Sequence, residues 1–267
     1  MDIVFIGDIV GPEATAFAAE HVRSLRQARP VDLVIANAEN CAITETTPWT
    51  GFGMTVELTN LLFESGVDVI TSGNHGWDGA HAEEVHDQSR VLRPLNVPED
   101  LPGSGFVTIQ VEGSPVSIVN LADAVALENV NSAYSSWQSL ADELAETVII
   151  DFHGDSTWEK MIFATAIDGE AAAVLGTHTH EPTANLHILP KGTAFVADVG
   201  MTGPSGHPGG FPLSHFARKY RGEDWRDLPP YRLADGPPVL GAVWLRTAHG
   251  KTVEIERIKV DDPESRT

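Results

Sequence analysis

Carboxylate, amide and imidazole side chains recur directly after short apolar segments of this sequence. The positions are Asp8, Glu39, Asn40, Asn74, His75, His153, His178 and His180. Oxygen ligands together with imidazole nitrogens suit manganese, iron, zinc and related ions. A carboxylate can bridge two such ions, and the pair then orients and polarises a phosphoryl group. These residue types therefore point to a two-metal site for phosphoryl chemistry.

Each of these residues has an ordinary structural explanation when it is considered alone. Asp8 could cap the helix that follows it, and Asn40 and Asn74 could stabilise turns. A single loop histidine is usually a surface residue. His178 and His180 are more informative, because alternate residues of an extended segment face the same side. The occurrence of all these residues after apolar segments favours the metal site.

The apolar and helix-forming segments predict an α/β protein. Strands are predicted over 2–7, 31–36, 67–71, 106–111, 116–120, 148–152, 172–176 and 194–198, with a closing hairpin over 238–246 and 252–259. Helices are predicted over 12–26, 55–65, 80–88 and 135–146 and from about 157, and the Gly- and Pro-rich stretch 203–212 predicts a loop. We expect one domain over 1–267, with 261–267 as a frayed tail.

The predicted strands also indicate how the polar residues could meet. In open α/β sheets, ligands bind beyond the carboxyl ends of the strands. The polar positions follow the strands that end near 7, 36, 71, 152 and 176. We therefore expect their side chains to lie together at one edge of the molecule.

The composition is that of an acidic globular protein. Of 267 residues, 42% are hydrophobic and 21% are charged, and the formal net charge is -21. This charge repels long nucleic acids and anionic membranes but admits a small phosphate ester, because bound cations reverse the local field. Cys41 is the single cysteine, so no internal disulfide can form. The sequence lacks a signal-peptide pattern and a membrane-spanning apolar run, which predicts a cytoplasmic protein.

Short motifs around these residues resemble a known family. They are GDIVG at 7–11, NAEN at 37–40, SGNH at 72–75, DFH at 151–153, GTHTH at 176–180 and DVGMTGP at 198–204. In this order they are similar to the YmdB-like branch of the calcineurin-like metallophosphoesterases. Most calcineurin-like enzymes have a histidine where this sequence has Val10, and the YmdB-like branch lacks it too.

The resemblance implies a four-layer α/β/β/α sandwich with two metal ions at one edge. It implies that Asp8, Glu39, Asn40 and His180 hold one ion. It implies that Glu39, Asn74, His153 and His178 hold the other, so that Glu39 bridges them. The ions would be divalent or mixed-valence, with iron or manganese as the first candidates and zinc or cobalt as alternatives.

The resemblance also implies a phosphodiesterase of small substrates, 2′,3′-cyclic nucleotides in particular. A hydroxide supplied by the metals would attack phosphorus, and His75 would protonate the leaving oxygen. Asp151, Asp155 and Asp198 are candidates to support the ligand imidazoles. The segments 41–50, 154–158 and 181–187 differ from the family pattern and leave the substrate open.

Three alternatives to a phosphodiesterase remain at the level of sequence. They are a nucleotide-sensing regulatory protein with slow or no turnover, a phosphomonoesterase, and a hydrolase of other organophosphate or phosphonate esters. A homo-oligomer is compatible with the sequence, because closed symmetric assemblies are common.

Overall fold

The computed structural model describes residues 1–43, 52–224 and 232–261. Its helices are α1 (Pro12–Ala28), α2 (Val56–Ser65), α3 (Ala82–His86), α4 (Ala133–Leu140), α5 (Thr157–Ala166) and α6 (Leu213–Tyr220). Its strands are β1 (Asp2–Ile6), β2 (Leu33–Asn37), β3 (Val69–Thr71), β4 (Phe106–Val111), β5 (Ser114–Ala122), β6 (Thr147–His153), β7 (Ala173–Thr177), β8 (His187–Ile188), β9 (Ala194–Val196), β10 (Gly203–Pro204), β11 (Pro238–Ala248) and β12 (Lys251–Asp261). Within these ranges, no helix is both long and apolar enough to cross a lipid bilayer.

The first sheet has β1 near its centre. The strand order is β10, β11, β1, β2 and β3, and β12 also pairs with β11. β1 runs parallel to β2 and antiparallel to β11, so Phe5 lies between Ile35 on one side and Val243 on the other. β2 is also parallel to β3. The carboxyl ends of β1, β2 and β3 therefore meet at one edge.

The second sheet has the order β4, β5, β6, β7, β9 and β8. Its four inner strands are parallel, whereas β4 and β8 pair antiparallel at the two edges. β6 and β7 lie at the centre of this sheet, with His153 opposite Thr177 at the ends of the two strands. The ends of β6 and β7 thus lie side by side.

Alternate residues of the strands enter two different cores. In β1, Ile3 and Phe5 contribute to the core between the two sheets, whereas Val4 and Ile6 pack beneath α1 and α2. The outer face of the second sheet packs against α4 and α5 in the same way. The layers are therefore helix, sheet, sheet and helix, and the predicted α/β/β/α sandwich is confirmed.

Local signals explain where the helices beside the first sheet begin and end. Pro12 occupies the first turn of α1, where its missing N–H costs no hydrogen bond. Thr55 caps α2, because its side chain accepts a hydrogen bond from the Leu58 N–H at 3.3 Å. Gly66 ends α2 in a left-handed conformation with φ 107°.

Some local predictions differ from the structure. The helix predicted over 135–146 ends at Leu140, and Leu144 is already extended (φ -83°, ψ 154°) on the way into β6. The predicted loop 203–212 contains β10 and a 3-10 turn, Pro208–Gly210. The strand β8 and the helix α6 are not predicted from the sequence patterns. Of the predicted frayed tail 261–267, Asp261 ends β12 and the rest lies outside the described residues.

Candidate metal centre

The structure brings the predicted ligand residues together where the two sheets meet. Each follows or ends a strand, as predicted, except that His153 is the last residue of β6 itself rather than a residue after it. Their contacts link them into one group. The residues are Asp8 after β1, Glu39 and Asn40 after β2, Asn74 after β3, His153 in β6, and His178 and His180 after β7.

One half of the group surrounds the Nε2 atom of His153. This nitrogen lies 2.8 Å from Asn74 Oδ1, 3.0 Å from His178 Nδ1 and 3.2 Å from Glu39 Oε1. Glu39 and His153 are fully buried or nearly so. Lone-pair atoms of four side chains thus converge on one point, which is the donor set expected for a transition-metal ion.

The other half of the group lies around Asp8. The Asp8 carboxylate is 3.9 Å from His180 Nε2, and the Asn40 amide nitrogen lies 3.3 Å from the same imidazole nitrogen. Asn40 Oδ1 is buried and has no hydrogen-bond partner within the described parts of the chain. A buried carbonyl oxygen beside a carboxylate and an imidazole fits a bound cation, because an unpartnered polar atom is otherwise costly to bury.

The two candidate ligands after β7, His178 and His180, do not lie on an extended segment. Both residues have positive φ, 99° for His178 and 65° for His180. The prediction that they are alternate residues of an extended segment is therefore wrong. Positive φ is uncommon for non-glycine residues. The His178 N–H donates to the Asp8 carboxylate at 3.1 Å, and His180 Nδ1–H donates to the Gly209 carbonyl at 2.9 Å. These bonds hold the bent turn.

The charges of the buried group favour an added cation. Burial raises the pKa of Asp8, because its carboxylate is fully enclosed. Burial lowers the pKa of His153, but the Glu39 and Asp8 carboxylates outweigh it and raise the value to about 9. Burial and the neighbouring positive His153 lower the pKa of His178 to about 3. The buried carboxylates thus stabilise positive charge on the neighbouring His153 imidazole, and a bound metal ion would supply positive charge at the same place.

A buried hydrogen-bond chain orients His153. Its Nδ1–H donates to Thr177 Oγ1 at 3.0 Å, and the Thr177 hydroxyl donates to Asp151 Oδ1 at 2.6 Å. The other Asp151 oxygen accepts from Thr71 and, at 3.0 Å, from the Asn37 amide. This chain places the proton on Nδ1 and directs Nε2 toward the other ligands.

Asp198 supports the turn that carries the other two histidines. It accepts hydrogen bonds from the Thr179 N–H at 2.9 Å, the Thr179 hydroxyl at 2.7 Å and the Gly200 N–H at 2.8 Å. The buried Lys160 ammonium lies 3.7 Å from Asp198 and donates to the carbonyl oxygens of Thr177 and Ala197. Of the three support candidates, Asp151 and Asp198 are integrated into the site.

Asp155 has a looser relation to the site. Its carboxylate lies 3.6 Å from His178 Nε2, and its side chain is 56% exposed. An exposed ion pair of this length contributes little to orientation.

His75 lies beside the ligands and is held by two hydrogen bonds. Its backbone N–H donates to Glu39 Oε2 at 3.0 Å, and its Nδ1 lies 2.9 Å from Asp78 Oδ2. Burial lowers the pKa of His75, but the hydrogen bond to Asp78 and the charge of Glu39 outweigh burial and raise it. The imidazole can therefore carry a proton near neutral pH and donate it from Nε2.

A cavity of about 290 Å³ opens above these residues. Its polar side is formed by ligand residues and His75, and its other side is largely apolar. His207 lines a neighbouring cavity of about 440 Å³. The two cavities share His180 and Pro208.

Sequence reasoning did not identify several residues that shape the site. Asp78, Lys160 and Phe211 contact His75, Asp198 and His180 respectively. Asp78 could have been suspected from its position three residues after His75. The other two lie far from their partners in sequence, and no local spacing connects them.

Comparisons with known proteins identify the family of this chain. The model of the family described as YmdB-like protein matches residues 4–258. A 2′,3′-cyclic-nucleotide 2′-phosphodiesterase of Bacillus subtilis (strain 168) is 35% identical over 269 residues, which cover 98% of each protein. A structure of a hypothetical protein from Thermus thermophilus has a TM-score of 0.88 and 33% identity, covering 98% of this chain and 100% of that one.

A novel phosphatase from Mycoplasma pneumoniae is similar in structure as well. Its TM-score is 0.88 at 29% identity, covering 99% of this chain and 95% of that one. The family match and these relatives extend over nearly the whole chain. The chain therefore belongs to the YmdB-like family and is a phosphoric ester hydrolase of the metallophosphoesterase type.

Proposed function

We propose that this protein is a two-metal phosphodiesterase that hydrolyses small phosphodiesters, 2′,3′-cyclic nucleotides in particular. The convergence of His153 Nε2, His178 Nδ1 and the Glu39 carboxylate on one point is the observation that carries this proposal. The name of the Bacillus subtilis relative supports the substrate class. The proposed location is the cytoplasm, with no long nucleic acid as a partner.

We assign the predicted ligands to two ions. Asp8, Glu39, Asn40 and His180 would hold one ion, and Glu39, Asn74, His153 and His178 would hold the other. When bound, the ions would polarise the phosphoryl group and supply a nucleophile near neutral pH. Iron and manganese suit this mixed oxygen and nitrogen set, as do zinc and cobalt.

The chain itself supplies the proton for the leaving group in this proposal. Asp78 accepts the Nδ1 proton of His75, which leaves Nε2–H to face the cavity. The raised pKa keeps part of the imidazole protonated at neutral pH. His75 would donate this proton to the departing alkoxide, which is a poor leaving group without it.

The charge of the cavity favours a diester over a monoester. Among the described residues that line it, none is a lysine or an arginine. A phosphomonoester carries a second negative charge, which the metals and a protonated His75 would have to balance. A diester carries one. The phosphatase name of the Mycoplasma pneumoniae relative makes the monoester the competing substrate to test.

The test combines turnover with metal content. Metal-reconstituted protein is assayed with bis-p-nitrophenyl phosphate, p-nitrophenyl phosphate and 2′,3′-cyclic AMP, beside Glu39→Gln. The matched control is Glu64→Gln, which changes an exposed glutamate of α2. We expect diester turnover by the wild type and the control, and loss of both activity and bound metal in Glu39→Gln.

Other outcomes would contradict the proposal in distinct ways. Faster hydrolysis of the monoester than of both diesters would make the protein a phosphomonoesterase. Two bound metals without turnover of any phosphoester would favour a nucleotide-sensing protein. One metal per chain at full activity would contradict the two-metal mechanism.

A further inference from the structure

The cavity above the metal-ligand residues has an aromatic side that the proposed chemistry does not use. It faces Glu39, Asn40, His178 and His180 across a volume of about 290 Å³. Pockets for small ligands are typically apolar with a few convergent polar groups. The apolar lining residues are Phe52, Phe211, Leu213 and Phe216.

The aromatic rings begin directly beside the reacting groups. The Phe211 ring lies 6.2 Å from the His180 imidazole with an interplanar angle of 26°, so the two rings are stacked. The Phe52 ring lies 4.3 Å from the His75 imidazole and packs edge-on against Phe211 at 6.4 Å. A group attached to a phosphate at the metal-ligand residues would therefore lie against these rings.

The three phenylalanines differ in burial. Phe52 is 7% exposed and forms a fixed wall, whereas Phe211 and Phe216 are half-buried. A flat ligand can stack on aromatic faces that border a cavity. Phe211 and Phe216 are thus the residues that a flat ligand would contact.

The charge of the lining restricts the ligand further. The described lining residues include one carboxylate, Glu39, and neither a lysine nor an arginine. A second phosphate group would find no balancing cation away from the metals. The part of the ligand that lies against the aromatic side is therefore uncharged.

We propose that Phe211 and Phe216 bind the base of a nucleoside 2′,3′-cyclic phosphate while its cyclic phosphate lies at the metal-ligand residues. This inference rests on the proposed phosphodiesterase function. It assigns a binding site to the base, which is the part of the substrate that sets affinity. Stacking tolerates any base, because every base has a π-face. Purines offer the larger face, so adenosine and guanosine cyclic phosphates bind more tightly than the pyrimidine ones.

The experiment compares two substrates that differ only in the base. They are 2′,3′-cyclic AMP and methyl riboside 2′,3′-cyclic phosphate, assayed with the metal-loaded full chain. Stacking predicts that kcat/KM of the wild type is roughly tenfold higher for 2′,3′-cyclic AMP than for the methyl riboside, mainly through a lower KM. In Phe211→Leu and Phe216→Leu we expect this ratio to fall roughly fivefold.

Two further variants separate stacking from general packing. Phe211→Tyr keeps an aromatic face and should retain the wild-type ratio. Phe17→Leu makes the same change at a half-buried position of α1 and should also retain it. Calorimetry with adenosine 3′-monophosphate and methyl riboside 3-phosphate gives a binding readout that does not depend on turnover.

Each contrary outcome has a separate meaning. Equal kcat/KM for the two substrates in the wild type, or an unchanged ratio in both leucine variants, overturns the base site and leaves the phosphodiesterase function standing. If one leucine variant does not fold, the kcat/KM ratio of the other variant decides. If the wild type hydrolyses bis-p-nitrophenyl phosphate but neither riboside, the cyclic-nucleotide assignment fails together with the base site. If it hydrolyses no phosphoester, the proposed function fails as well.

Discussion

At the scale of single residues, Thr177 connects the candidate metal centre to the protein interior. Its hydroxyl accepts the His153 Nδ1 proton and donates to Asp151. Burial raises the pKa of Asp151 to about 6, so the carboxylate depends on its donors to remain ionised at neutral pH. One hydroxyl thus orients the imidazole of a candidate ligand and gives one of the three side-chain hydrogen bonds to the carboxylate behind it.

Replacing Thr177 by valine keeps the side-chain shape but removes this connection. We expect the affinity of the weaker-bound metal to fall about 10- to 100-fold, because supporting hydrogen bonds of ligand histidines contribute that much. The measurement is a metal-binding titration against a competing chelator. Thr165→Val on α5 is the control, since the Thr165 hydroxyl donates to the Met161 carbonyl of the same helix at 2.8 Å. A change in metal affinity smaller than threefold in a folded Thr177→Val variant would show that the hydrogen bonds from His153 through Thr177 to Asp151 are not needed.

The proposed role of His75 predicts a dependence on the leaving group. With His75→Asn, we expect hydrolysis of 2′,3′-cyclic AMP to slow about 10²- to 10⁴-fold, which is the usual contribution of a general acid. Hydrolysis of bis-p-nitrophenyl phosphate should slow much less, because p-nitrophenolate leaves without a proton. Steady-state rates on both substrates measure the difference. Equal losses on both would assign His75 to positioning of the phosphate.

The meeting of the candidate ligand residues could be predicted from sequence, because they lie at the ends of apolar segments that are easy to recognise. The residues that orient them could not be predicted. Asp151 reaches His153 only through Thr177, and Lys160 contacts strand ends that come later in the chain. Such contacts depend on how strands pair, and no residue spacing records that pairing.

At the scale of elements, glycines allow close approaches of the backbone beside the candidate ligands. A Cβ at Gly7, just after β1, would overlap the Gly200 carbonyl oxygen after β9. Gly176 in β7 has the same relation to the Ala197 carbonyl within the second sheet. Gly7 therefore permits a close backbone contact beside Asp8, whose carboxylate accepts a hydrogen bond from the His178 N–H.

The close approach at Gly7 predicts that a methyl group added there destabilises the folded protein. Gly7→Ala should lower the free energy of unfolding by about 3 kcal/mol, because the backbone must shift to admit the side chain. Gly113→Ala is the control: its φ is positive, but nothing lies within 4 Å of the added carbon, so strain alone should cost about 1 kcal/mol. Urea denaturation measures both. An equal loss of unfolding free energy in the two variants would contradict the tight contact between Gly7 and Gly200.

Element predictions succeed where the apolar pattern is continuous and fail where tertiary contacts decide. β4 is predicted at its observed bounds, Phe106–Val111. The two-residue strand β10 exists because Gly203 and Pro204 pair with β11, which is distant in sequence. α6 begins directly after the Gly- and Pro-rich stretch. That composition predicts a loop, and no helix is predicted after it.

At the scale of the whole molecule, the net charge of -21 acts on every anionic substrate. We expect KM for an anionic diester to fall as ionic strength rises from about 0.01 M to about 0.15 M, because the screening length shortens from roughly 30 Å to 8 Å. Initial rates across a salt series measure this effect. Two different salts at equal ionic strength should give the same KM, which separates screening from inhibition by a specific ion. A steady rise of KM with salt would show that local attraction dominates.

The position of β1 in the first sheet has a consequence for synthesis on the ribosome. β1 leaves the ribosome long before β11, its antiparallel partner in the sheet. Until residues 238–248 leave the exit tunnel, one edge of β1 has no native partner, and an unpaired strand edge invites association with other chains. Asp8 directly follows this strand, so we expect the position of this candidate ligand to be fixed only after β11 has paired with β1.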